Sequence, residues 1–89
     1  MNTQLVSYDL RAPGKNYSNL HAYLKNFGWA KPLESVWLIR TTLSAEQLRN
    51  GVLGHIDSND KVLVVNVTGK EAAWKNLSPE VATWITNNL

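Results

Sequence analysis

Hydrophobic positions along the chain change period several times. Val6, Tyr8 and Leu10 alternate with Leu5 and Ser7, the two-residue rhythm of a strand over 4–9. Arg-Ala-Pro-Gly-Lys-Asn (11–16) then reads as a turn-rich loop. Tyr17, Leu20, Leu24 and Phe27 recur at three- and four-residue spacing, which predicts an amphipathic helix over 17–27. Gly28 follows where a left-handed C-terminal cap is favoured. Pro32 disfavours helix at Lys31 and donates nothing to a sheet ladder, so 29–33 is extended. Val36-Trp37-Leu38-Ile39 is β-branched and aromatic, a buried strand. Ser44 and Gln47 form a capping box, with Leu43 and Leu48 as the hydrophobic staple, so a helix begins there. Gly51 and Gly54 keep it short. Asp57-Ser58-Asn59-Asp60 is a turn and 61–67 the last strand, while 69–76 has no clear period. Ser78-Pro79-Glu80 opens a final helix with an apolar face of Val81, Ala82, Trp84, Ile85 and Leu89.

The order is βαββαβ followed by a helix: an α+β, ferredoxin-like arrangement with an added C-terminal helix. At 89 residues the chain holds a single domain, with a core over 3–68 and a helical extension over 70–89. The first two helices of such a fold cover one sheet face. The strands, however, are apolar on both. Leu5, Val36, Leu38, Val62 and Val64 are expected on the bare side, where burial of each is worth ~1.5–3 kcal/mol. A patch of that size is normally covered, either by a second copy of the chain or by the C-terminal helix. A homodimer is expected.

Composition narrows the chemistry. Without cysteine there is no disulfide framework, thiolate metal site or cysteine nucleophile. The first residues lack a basic region followed by an apolar stretch, and no apolar run approaches the ~20 residues of a membrane helix, so no membrane is involved and a cytoplasmic location is expected. The net charge is only +2, but it is uneven. Residues 1–40 hold five basic and two acidic side chains, whereas 41–89 hold four and five.

No catalytic triad, phosphate-cradling glycine loop or spaced histidine pair occurs. His21 and His55 read as partly buried structural histidines. Trp29, Trp37, Trp74 and Trp84 suit core or interface packing, with base stacking as the alternative. Asp9 closes an apolar strand, followed by Arg11 and Lys15. A carboxylate that holds Mg2+ or Mn2+, beside cations that hold phosphates, makes a phosphodiester site, with Arg40 as a further phosphate contact. One carboxylate is a weak metal site, and a two-fold dimer would supply a second Asp9. Alternatively, Asp9 caps the following turn.

These residues resemble a family. Tyr8-Asp9, Leu20 and Leu24 before Gly28, Ser35-Val36-Trp37, Ser44 to Leu48, and Ile56-Asp57 with Asp60 look like the small CRISPR-associated endonuclease that partners the integrase in spacer acquisition. The related VapD-type ribonucleases are similar. The likeness covers about 3–68. It implies a metal-dependent endonuclease acting on RNA or DNA as a homodimer, or a non-catalytic nucleic-acid-binding scaffold, or a toxin-like ribonuclease. It also implies an integrase or antitoxin as partner. The family's catalytic and metal-binding aspartate falls on Asp9, its aromatic neighbour on Tyr8, its serine on Ser35 and its strand aromatic on Trp37. Arg11 and Lys15 stand where the family carries arginines. The C-terminal helix stands where many members add a fifth strand.

Overall fold

A computed structural model of the chain describes residues 1–10 and 17–89. The elements run β1 (Asn2–Asp9), α1 (Ser18–Leu24), β2 (Gly28–Leu33), β3 (Val36–Thr41), α2 (Ala45–Leu53), β4 (Lys61–Asn66) and α3 (Pro79–Asn88). The strands form one antiparallel sheet in the order β2-β3-β1-β4. Thus β3 lies between β1 and β2, which run parallel to each other. The described residues form an α+β fold with a four-stranded sheet and three helices. The expected turn-rich loop at 11–16 lies outside the described residues.

Local chemistry sets the helix boundaries. Ser44 Oγ accepts from Gln47 N at 3.1 Å while Ser44 N donates to Gln47 Oε1 at 2.9 Å, closing the expected capping box. At α3, Ser78 Oγ accepts from Val81 N at 3.2 Å and Pro79 occupies the first turn. The helix α1 is shorter than its apolar spacing suggests, because Lys25 already caps it. Gly28 is not its left-handed cap: the described glycine with positive φ is Gly69. Gly28 instead opens β2 opposite Arg40, where an added Cβ would meet the Arg40 Cβ at 3.3 Å. Close strand approach, rather than helix capping, is what glycine permits there.

Both faces of the sheet are covered. Val6, Trp37 and Ile39 pack against Leu20 and Leu24 of α1 and Leu48 and Val52 of α2, all of them buried. On the opposite face Ile85 of α3, Leu38 and Ala30 are buried. The C-terminal helix is therefore the cover on that side. One expectation about it is corrected. Val62 and Val64 pack with the α1/α2 core, because the register pairs them with Tyr8 and Val6. Leu63 and Val65 pair with Ser7 and Leu5 and occupy the second face, 61% and 41% exposed. The helix α3 reaches across β2, β3 and part of β1, and leaves the β4 margin open.

A polar clamp seats α3. Arg40 Nη1 donates to Thr3 Oγ1 at 2.9 Å and to the Asn88 carbonyl at 3.1 Å, and Thr3 Oγ1 donates to the same carbonyl. A cation at the carbonyl end of a helix also complements its dipole. None of the described helices is long and apolar enough to cross a membrane.

The two core helices meet at Gly51. A Cβ there would overlap the Tyr23 hydroxyl and sit 2.5 Å from its Cζ. The Tyr23 ring is held between Phe27 and His55, with centroids 5.5 and 5.0 Å away. Gly51→Ala should gain ~1 kcal/mol of helix propensity but lose ~1–3 kcal/mol to overpacking, a net destabilisation in urea titration. In a Tyr23→Leu background the same substitution should become stabilising by ~0.5–1 kcal/mol, because only the propensity gain then remains.

Candidate nucleic-acid interface

Strand alternation and one helix end bring an aromatic and basic cluster together on the α1 side of the sheet. Trp29 and Lys31, two residues apart on the edge strand β2, share the face of Ile39, opposite which Trp29 is paired. Lys25 ends α1 just above them. The buried Trp37 is the hub. Its Nε1 donates to Tyr8 Oη at 3.0 Å. Its ring lies 5.8 Å from that of His21 in a stacked arrangement and 5.1 Å from that of Trp29. Lys31 Nζ sits 5.5 Å from the Trp37 ring centroid, and Lys25 Nζ 5.3 Å from that of Trp29. Each cation–π contact is worth about 0.5–1 kcal/mol at such exposed positions. Trp29 remains 39% exposed.

Burial, and then the charges of Lys31 and Lys25, hold the His21 imidazole below its ordinary value of 6.5. The cluster therefore carries two permanent cations around a neutral imidazole near neutral pH. Such a surface offers a ring face to a base and ammonium groups to its phosphates.

Tyr8 and Ser35 come together: Tyr8 N donates to the Ser35 carbonyl at 3.2 Å. Asp9, the next residue, is exposed and points to the other sheet face, directly across from Lys61. The two flank a shallow depression of about 220 Å³ with Ser7, Val62 and Leu63. Arg40 is not gathered with them. It pairs with Thr3, six residues from Asp9 along β1, or ~20 Å at the usual strand rise, and its guanidinium holds α3. Arg11 and Lys15 lie outside the described residues. Among the described residues, no three His, Asp or Glu side chains converge as a metal-holding group. A divalent ion at Asp9 would need ligands from elsewhere.

In the sequence Trp29 stood among four tryptophans with base stacking as the alternative and His21 read as a structural histidine, while Lys25 and Lys31 were not singled out. Their signal was Trp29-x-Lys31 on a single strand face, with Lys25 four residues before Trp29. The pairing of β2 with β3 turns that spacing into a cluster around Trp37.

Folding favours neutral His21, so its contribution to stability is complete above about pH 6.5 and is lost as the pH falls through the lowered native value. Denaturation curves from pH 8 to 5 should show that loss, and His21→Phe should flatten it. Arg40→Gln should lower stability by ~1–2 kcal/mol in urea titration through loss of its charged hydrogen bonds to Thr3 and the Asn88 carbonyl.

No protein-family model matches the chain and no solved structure matches it, so its function is read from these side chains.

Proposed function

We propose that this protein binds nucleic acid, with the Trp29–Trp37 pair and the ammonium groups of Lys25 and Lys31 as the contact surface. The observation that carries this reading is the convergence of two lysines onto two indoles, one of them exposed, at an accessible strand edge. Stacking on an exposed indole is sequence-tolerant, and each lysine neutralises a phosphate. The strand order β2-β3-β1-β4, with β3 inserted between parallel β1 and β2, supports a ferredoxin-like description of the scaffold. That description agrees with the resemblance to the CRISPR-associated endonuclease and VapD-type ribonuclease families. A cytoplasmic location goes with the reading.

Metal-dependent cleavage of RNA or DNA is the second reading. It is favoured by Asp9, an exposed carboxylate at the rim of a depression beside Lys61. Among the described residues no group of three His, Asp or Glu side chains gathers there, so this reading draws further ligands for Mg2+ or Mn2+ from a second copy in a homodimer. The face expected to drive dimerisation is covered by α3, which leaves the β4 margin, with Leu63 and Val65, as the apolar surface for a second copy. An integrase or an antitoxin as partner belongs to the same reading.

Fluorescence anisotropy with labelled single-stranded and duplex 20-mers tests the binding reading. Lys25→Glu/Lys31→Glu should weaken binding at least ten-fold at low salt. The neutral pair Lys25→Gln/Lys31→Gln should reduce the slope of log affinity against log salt by about 1.4 on single strands, at ~0.7 per phosphate. Trp29→Ala should weaken binding about ten-fold, since stacking contributes ~1–3 kcal/mol per base. Unchanged affinity in all three variants would overturn the assignment. For cleavage, wild type and Asp9→Asn are compared with magnesium, manganese and chelator. Loss of activity only in Asp9→Asn supports the second reading, and equal activity in both proteins removes it.

A further inference from the structure

We propose that the cleft between the second sheet face and the C-terminal segment is a binding site for a small amphipathic anion: an apolar body of about six to ten carbons carrying one carboxylate. The cleft has a volume of about 390 Å³. Leu5, Val36 and Leu38 of the sheet line it together with Ile85 of α3, Leu89 and Trp74. That volume lies in the range of small-molecule sites, ~300–1,000 Å³. A helix of ~10–12 Å diameter does not enter it, so the occupant is a small molecule rather than an amphipathic peptide.

Charge selects the sign of the head group. Among the side chains that line the cleft two are basic, Lys70 and Lys75, and one is acidic, Glu71, and all three are exposed. They lie on the irregular stretch between β4 and α3, bracketed by the two described residues with positive φ, Gly69 at 70° and Asn76 at 64°. The 70–75 stretch shares the lining of the cleft with Leu5, Val36 and Leu38 of the sheet, so its exposed lysines border a cleft whose other lining is mostly apolar. A ligand that leaves a carboxylate at the mouth and buries a hydrocarbon satisfies both parts. The α1-side cluster lies on the opposite face of the sheet, so this site stands apart from the proposed nucleic-acid surface.

Isothermal titration calorimetry of the intact protein with hexanoate, octanoate and decanoate, all below micelle-forming concentrations, tests the proposal. Binding with one site per chain is expected, tightening about three- to four-fold per added methylene until the cleft is full. Octanoate should bind about ten-fold more tightly than octyltrimethylammonium, and Lys70→Gln/Lys75→Gln should bring the two within about three-fold. The tryptophan fluorescence change on binding should disappear in Trp74→Phe while the calorimetric signal persists. Absence of saturable binding by decanoate would overturn the proposal. So would equal affinity for the carboxylate and the ammonium compound, or a fluorescence change that survives Trp74→Phe.

Discussion

The two central strands carry apolar side chains on both faces, and most of the molecule is arranged to keep helices against both. Strand β1 places Val6 under α1 and α2 and turns Leu5 the other way, while β3 does the same with Trp37 and Ile39 against Leu38. Two short helices cannot wrap both surfaces of a sheet. A third helix from the far end of the chain has to be held against the second one. Apolar packing of Ile85 provides the affinity for that surface. The Arg40–Thr3–Asn88 clamp supplies orientation, because hydrogen bonds fix a geometry that apolar contact alone leaves free.

This division of labour gives each strand two chemistries. β2 carries Trp29 and Lys31 toward α1, and its Pro32 and Leu33 line the cleft beneath α3. Its pairing with β3 shifts register between Ala30 and Leu33, which allows the two ends to serve different surfaces. Proline in an edge strand forfeits no ladder bond that the sheet needs, and it blunts that edge against further pairing. The opposite edge, β4, has no such device. There Leu63 and Val65 stay in solvent beside an open strand margin.

What the sequence made legible was local. The capping box at Ser44, the serine–proline start at Ser78 and the alternation through Val6 and Tyr8 each depend on neighbours within a few residues, so the pattern contained the answer. Register was not legible. Whether Val62 and Val64 or Leu63 and Val65 face the α1/α2 core depends on a one-residue choice in pairing with β1, and a run of four apolar residues fits either choice. Arg40 was read as a phosphate contact because its charge is visible in sequence and its distant partners Thr3 and Asn88 are not. The gathering of Lys25 and Lys31 onto Trp29 and Trp37 was hidden for the converse reason: separately they are ordinary residues, and only the pairing of β2 with β3 brings them together.

The Thr3–Asn88 contact spans 85 positions, nearly the whole chain. It places a residue of the opening strand against the last turn of the closing helix, so the second sheet face stays wet during synthesis until residues 79–89 have left the ribosome. A nascent chain halted before that point would display Leu5, Val36 and Leu38 as an apolar surface prone to association.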